Sequence, residues 1–164
     1  MKIAFVVSWL NQYGGAERVL EAAHEIFPDA PVWTSIYAPS ALPAGYQRWQ
    51  IHVSFLDRLP QVHRRHQLYL LLYPFAFRSL RFRGFDLIVS ITSAFAHGIS
   101  VSPGTRHLCY CLTPARFLWQ YQDYVENEAV GRGVRAVLPL FLPLLQSWDR
   151  AAAGKVDEFV SISR

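Results

Sequence analysis

Short, nearly continuous apolar runs recur along the chain and alternate with segments whose apolar residues lie three or four positions apart. The continuous runs predict strands that are covered on both faces, at residues 2–7, 31–36, 50–55, 86–92, 106–112 and 158–162. The periodic segments predict helices at residues 16–27, 61–80, 94–99, 116–125 and 134–153, the last one bent at its two prolines. This order predicts an α/β fold, a Rossmann-like parallel sheet flanked by helices.

The first strand is followed by a loop, two adjacent glycines and an amphipathic helix. Gly14 and Gly15 stand at the helix entrance, and Glu17 falls among the polar positions assigned to the helix surface. Glycine lets a backbone approach a ligand closely, and the free N–H groups at a helix start attract anions. This predicts a phosphate or sugar ligand, although glycine pairs also occur in ordinary turns between strands and helices.

Composition places the chain among folded proteins and excludes several classes of function. Of its 164 residues, 52% are hydrophobic and 17% are charged, which is enough for one well-buried domain. The net charge of +4 favours an anionic partner. The sequence contains no GxxxxGK[ST] phosphate loop, no GxSxG nucleophile turn and no zinc-finger or RNA-binding signature, so we expect neither a hydrolase nor a nucleic-acid-binding module.

Basic and aromatic residues are concentrated around the apolar run at residues 68–77. This run is too short to cross a bilayer, but apolar and cationic residues together are typical of contact with an anionic lipid surface. A buried core helix with solvated ends would show the same pattern. The residues predicted to contact a membrane are Arg64, Arg65, Tyr69, Tyr73, Arg78, Arg81 and Arg83.

Both cysteines lie on one predicted strand, in the pattern His107-x-Cys109-x-Cys111. Alternate strand residues share one face, so a metal site is conceivable, but a fourth ligand at matching spacing is missing and we predict none. Two cysteines one residue apart on a strand cannot pair with each other, which indicates reduced thiols. Because the amino terminus shows no signal peptide, we expect a cytoplasmic protein, which includes the inner face of the cytoplasmic membrane.

Ligand-binding residues of parallel sheets lie in the loops that follow the strands. This rule selects Thr92, Ser93 and His97 after the fourth strand, and Thr113 and Arg116 after the fifth. A guanidinium at a strand end can hold phosphate or carboxylate through two hydrogen bonds, and His97 is a candidate general base. The structural alternatives are helix caps for the hydroxyls, a packing role for His97 and an ion pair of Arg116 with Asp123 or Glu126.

Four segments together resemble the amino-terminal half of a family 4 retaining glycosyltransferase, a family with the two-domain GT-B fold. They are Gly14-Gly15-Ala16-Glu17-Arg18, residues 85–98 with Thr-Ser-Ala-Phe-Ala-His-Gly, residues 109–119 with Cys-Tyr-Cys-Leu-Thr-Pro-Ala-Arg, and the closing Phe-Val-Ser-Ile-Ser-Arg. The resemblance covers essentially all of residues 1–164. Many relatives carry histidine where this chain has Leu112, which puts any histidine-assisted step at that position in doubt.

The resemblance implies a single domain over residues 1–164 that binds the acceptor, with the donor-binding domain lying outside this chain. Gly14, Gly15, Glu17, Thr92, Ser93, Thr113 and Arg116 would border a cleft shared by donor and acceptor, and His97 would face it. The co-substrate would be a nucleotide-sugar, the acceptor a glycan or lipid-linked molecule, and no metal would be required. Without its partner domain, this unit is expected to be inactive.

Two other readings belong to different classes of function. A non-catalytic Rossmann-like module would bind an anionic sugar or lipid headgroup, and Leu112 at the cleft position favours it slightly. A peripheral membrane adaptor would bind lipid surfaces through the basic and aromatic region alone.

Overall fold

The computed structural model describes residues 1–127 and 131–162 and contains a six-stranded, all-parallel sheet. Its strands are β1 (Ile3–Val7), β2 (Val32–Thr34), β3 (Ile51–Val53), β4 (Leu87–Thr92), β5 (Arg106–Cys111) and β6 (Glu158–Ser161). Each strand lies inside a run predicted from the sequence, so the predicted Rossmann-like α/β class is confirmed.

The spatial order of the strands is β3-β2-β1-β4-β5-β6. The chain therefore builds outward from β1 in one direction and then returns to pair β4 with the free side of β1. Connections that leave β1 and β4 diverge to opposite sides of the sheet. This reversal opens a crevice at the carboxyl ends of the central strands, which is where such sheets bind ligands.

Burial of β1 explains why its sequence is apolar without alternation. Ala4 and Val6 pack into one hydrophobic core together with Phe77 and Leu138. Phe5 lies on the opposite face of the strand and packs into a second, separate hydrophobic core. Successive strand residues point to opposite faces, so both faces of β1 are covered.

The helices are α1 (Gly15–Ile26), α2 (Val62–Arg65), α3 (Tyr73–Ser79), α4 (Arg116–Trp119), α5 (Tyr121–Asn127) and α6 (Arg132–Ala153). Five 3₁₀ segments join them, at Pro39–Ala41, Ala44–Arg48, Phe55–Arg58, His66–Leu72 and Ala96–Gly98. Among the described residues, no helix is both long enough and apolar enough to cross a membrane.

The single helix predicted for residues 61–80 is wrong, because this segment is broken into α2, the 3₁₀ segment His66–Leu72 and α3. Pro74 stands in the first turn of α3, where its missing N–H costs nothing. In an uninterrupted helix the same proline would remove a hydrogen bond and clash with the preceding turn.

Two further predicted helices are shorter than the sequence indicated. The segment at residues 94–99 holds only the 3₁₀ segment Ala96–Gly98, and the segment at residues 116–125 is divided into α4 and α5. Gln120, between α4 and α5, has φ -133° and ψ 51°, which are not helical values, and therefore interrupts the helix.

Helix α6 continues through Pro139 and Pro143 to Ala153, where the predicted helix also ends. Pro139 has no N–H to donate to the carbonyl of Arg135, four residues earlier. The hydroxyl of Tyr121 donates to that carbonyl instead, at 3.0 Å. A side chain from α5 thus replaces the missing backbone donor and joins the two helices.

Gly98 is predicted to be the least substitutable of the glycines. A Cβ at Gly98 would overlap the indole ring of Trp148 on α6, whereas a Cβ at Gly45 would meet no atom within 4 Å. We expect Gly98→Ala to lower the free energy of unfolding by about 1–3 kcal/mol, because the added methyl group overpacks the space that the Trp148 ring already fills. Urea unfolding measures the change, and an unaltered midpoint relative to the Gly45→Ala control would contradict it.

Candidate functional site

A cleft of about 590 Å³ lies at the carboxyl edge of the sheet, above the point where the strand order reverses. The loop after β1, the start of α1, the loops after β4 and β5, and the 3₁₀ segment His66–Leu72 surround it. Residues named from the sequence that line this cleft are Gly14, Gly15, Glu17, Ser93, Thr113 and Arg116. The topology therefore brings together three loops that are distant along the chain.

Gly14 and Gly15 line the cleft where α1 begins. The Glu17 carboxylate accepts a hydrogen bond from the backbone N–H of Gly14 at 2.8 Å. This bond is half of a capping box, and it satisfies one of the free N–H groups at the helix start. A Cβ at Gly15 would meet no protein atom within 4 Å, so the space above it is open to a ligand.

Glu17 is not on the helix surface, and the prediction that placed it there is wrong. Only 3% of the residue is exposed, because its side chain turns back to cap its own helix. The Tyr46 hydroxyl also donates to the Glu17 carbonyl at 2.9 Å and closes this region from below. Burial raises the pKa of Glu17, although the hydrogen bonds from the backbone oppose part of that rise.

Arg116 contributes a permanent positive charge to the other side of the cleft. It is exposed at the start of α4, and Thr113 and Ser93 line the same cleft with their hydroxyl groups half-buried. Leu112 lines it as well and leaves that wall apolar. An anion held between Arg116 and the start of α1 would have the hydroxyl groups of Ser93 and Thr113 in the same cleft.

Thr92 is not among the residues that line the cleft. Its side chain is buried, and its hydroxyl accepts a hydrogen bond from the backbone N–H of Ala94 at 3.1 Å. This bond closes a short turn after β4 and does not cap the 3₁₀ segment Ala96–Gly98, which begins after Phe95 without a side-chain cap, so the structure does not bear out the capping alternative for either hydroxyl.

His97 lies behind the cleft and not in it. Its imidazole is buried, packs beside Trp148 and pairs with the Asp149 carboxylate at 3.2 Å, both residues being on α6. Asp149 also accepts from the Trp119 indole N–H at 2.9 Å. This geometry favours the packing alternative for His97 over the general-base candidate, since the ring packs against α6 and Asp149 links it to Trp119 on α4.

His66 is a cleft residue that sequence reasoning missed. The Asn11 amide N–H donates to its Nδ1 at 3.1 Å and also to the backbone carbonyl of His63. An accepting Nδ1 leaves the proton of the neutral ring on Nε2, and burial lowers the pKa of His66 and so favours that neutral form. Because 55 positions separate Asn11 from His66, no local pattern could have indicated the pair.

The residues predicted to contact a membrane do not form one surface. Tyr73 is fully buried and stacks on Phe95 at 4.9 Å, so its assignment to a membrane surface is wrong. Arg64 and Arg65 are exposed on α2, near the cleft, whereas Arg83 lines a hollow beside the amino ends of the strands. Arg78 and Arg81 are also exposed, and the Tyr69 hydroxyl donates to the Pro60 carbonyl.

His107, Cys109 and Cys111 do not form a metal centre. Among residues 1–127 and 131–162, no three metal-binding side chains are grouped closely enough to hold an ion. His107 is buried, with its Nε2 2.8 Å from the Ser90 hydroxyl, and both cysteines are free. Burial raises the pKa of the Cys109 thiol to about 12, which keeps it protonated and unreactive.

Comparison with protein-family models, with curated protein sequences and with solved structures finds no match to this chain.

Glu17 is predicted to make folding stability depend on pH. Its folded-state pKa is raised, so its contribution is largest when the carboxyl is protonated and is lost as the pH rises through its folded pKa. We expect Glu17→Gln, which keeps an acceptor for the Gly14 N–H, to remove that loss. Urea unfolding at about pH 4 and about pH 7 tests this. The exposed Glu25→Gln on the same helix is the control, and identical pH profiles for wild type and Glu17→Gln would contradict the prediction.

His107 is predicted to make folding stability depend on pH in the opposite direction from Glu17, so that stability falls as the pH falls. Burial and the nearby His97 lower its pKa from 6.5 to about 4. As the pH falls, the unfolded chain binds the proton first, so we expect the free energy of unfolding to decrease by about 2 kcal/mol between about pH 7 and about pH 5. His107→Gln should lose this dependence while retaining a partner for Ser90. If the variant and the wild type lose equal stability in calorimetry over that range, the prediction fails.

Proposed function

We propose that this chain is the acceptor-binding domain of a glycosyltransferase that moves a sugar from a nucleotide-sugar donor to a glycan or lipid-linked acceptor. The observation that carries the proposal is the meeting of Gly14 and Gly15 with Arg116 in one cleft at the reversal point of a parallel sheet. The sequence resemblance to family 4 glycosyltransferases supports the same assignment. A second, donor-binding domain would close over this cleft.

The cleft residues suit the chemistry of sugar diphosphates. Backbone N–H groups at the start of α1 and the Arg116 guanidinium can hold phosphate oxygens, since both place fixed positive charge where anions bind. Ser93 and Thr113 offer hydroxyls for the acceptor sugar. The neutral His66 ring carries its proton on Nε2 and so offers an N–H donor within the same cleft.

The role of Arg116 is testable by sugar transfer in cells of the source organism that lack the native gene. The gene is returned as wild type, as Arg116→Ala, or as Arg106→Ala, and membrane and soluble fractions are supplied with radiolabelled nucleotide-sugars. Loss of a charge-assisted contact is worth roughly tenfold or more in rate, which we expect for Arg116→Ala only. Arg106 is the matched control because it lies at the amino end of β5, away from the cleft, where it pairs with Glu158. Labelling that is unaffected by deletion of the gene would overturn the proposal.

A substitution at Gly15 distinguishes an effect on ligand binding from an effect on folding. Gly15→Ala adds a methyl group that meets no protein atom, at a helical position that favours alanine. We therefore expect unfolding stability to stay the same or rise by about 0.5 kcal/mol while sugar transfer falls. Gly45→Ala, also without neighbours, is the control for both measurements. Unchanged transfer with Gly15→Ala would show that no ligand approaches the backbone there.

A non-catalytic module that binds an anionic sugar or headgroup remains the second candidate, favoured by the apolar Leu112 in the cleft wall. It predicts that the purified chain binds a sugar phosphate through Arg116, while no sugar transfer depends on the gene.

A further inference from the structure

A second hollow lies beside the cleft and has a different chemistry. We call it the apolar groove: it lies between the 3₁₀ segment His66–Leu72 and the first half of α6, with a volume of about 270 Å³. Six of its eight lining residues are leucine or valine, namely Leu68, Leu70, Leu71, Val134, Val137 and Leu138. No charged side chain lines it among the described residues.

The apolar groove adjoins the cleft. Gln67 and Leu70 line both hollows, so a single 3₁₀ segment forms the wall between them. Arg116 and the start of α1 lie on one side of that wall, and hydrocarbon side chains lie on the other. A ligand that occupies both hollows must therefore be anionic at one end and apolar at the other.

Two residues of the groove are exposed to solvent although they are large and apolar. Leu68 is 59% exposed and Val137 is 47% exposed, on opposite walls of the groove. Phe75, Leu140 and Leu144 are also exposed, on the adjoining helices α3 and α6. Groups of exposed apolar side chains mark surfaces that a partner covers. Arg64 and Arg65 are exposed immediately before this segment and match an anionic headgroup or lipid surface.

We propose that the apolar groove binds the hydrocarbon chain of an amphiphilic acceptor whose phosphate lies in the cleft at Arg116. This inference rests on the proposed function and narrows its acceptor to a lipid-linked phosphate. A soluble glycan would leave the groove uncovered. Because the groove and the cleft adjoin and share Gln67 and Leu70, one amphiphilic molecule that reaches across that wall fits them better than a separate protein partner, which would need no charged end in the cleft.

The experiment compares three phosphates that differ only in their hydrocarbon: inorganic phosphate, isopentenyl phosphate and farnesyl phosphate. Each is titrated into the purified chain by calorimetry, below its critical micelle concentration. We expect farnesyl phosphate to bind at least tenfold more tightly than isopentenyl phosphate. Burial of about two methylene groups suffices for a tenfold gain, so even partial occupation of the groove meets this expectation. Equal affinities for the two prenyl phosphates would overturn the inference.

Variants on the two walls of the groove test whether the hydrocarbon chain of the ligand binds there. Val137→Glu on α6 and Leu68→Glu on the 3₁₀ segment each place a charge at an exposed position, and we expect both to abolish the gain from the longer chain. Leu144→Glu is the matched control, because Leu144 is 66% exposed on α6 and does not line the groove. Far-ultraviolet circular dichroism establishes that each variant is folded. If either wall variant is folded and retains the full gain in affinity from isopentenyl to farnesyl phosphate, the hydrocarbon chain does not bind in this groove.

Arg116→Ala locates the other end of the ligand. We expect it to weaken binding of both prenyl phosphates by a similar factor and to leave the gain between them unchanged. Farnesyl phosphate binding that is insensitive to this change would place the phosphate elsewhere and overturn the inference.

This inference and the proposed function fail in different ways. Gene-dependent sugar transfer to water-soluble glycans, without any effect of the wall variants, would sustain the proposed function and overturn the lipid-linked acceptor. Chain-length-dependent binding in the groove, with no gene-dependent sugar transfer, would support the amphiphile site and overturn the glycosyltransferase.

Discussion

Burial of β1 on both faces is the constraint on which the rest of the structure depends. A strand with apolar side chains in both directions needs a covering layer above and below, and parallel neighbours require helical crossovers that supply those layers. The first crossover places α1 over one face, and later segments bring α3 and α6 to the other. The return of the chain to the free side of β1 opens the cleft at its carboxyl end. The hydrophobic core and the cleft thus both result from the burial of β1 between two layers of helices.

Helix α6 supports the cleft from behind. Asp149 accepts from the Trp119 indole on α4 and pairs with His97 near the end of β4, while Trp148 fills the space above Gly98. Arg116, at the start of α4, is therefore held from the same helix that packs against His97. A connection built from hydrogen bonds and aromatic contacts fixes loop positions more precisely than apolar packing alone, because hydrogen bonds constrain direction as well as distance.

The 3₁₀ segment between α2 and α3 contributes to three parts of the molecule. The 3₁₀ segment His66–Leu72 turns some of its leucines inward and leaves others exposed. Leu70 enters the core, His66 reaches the cleft, and Leu68 remains at the groove. One irregular segment accordingly contributes to the core, to the polar site and to an apolar surface.

Sequence patterns by themselves determined the six strands, their parallel arrangement and the three loops that converge on the cleft, because continuous apolar runs and turn residues are local signals. Gly15, Ser93, Thr113 and Arg116 could be named from those signals. Only the tertiary structure decided that Glu17 is buried as a cap, that Tyr73 is a core residue, that His97 faces α6 and that His66 enters the cleft. Each of these depends on a partner or covering element brought close by folding, and periodicity records which face a residue occupies but not what lies opposite that face.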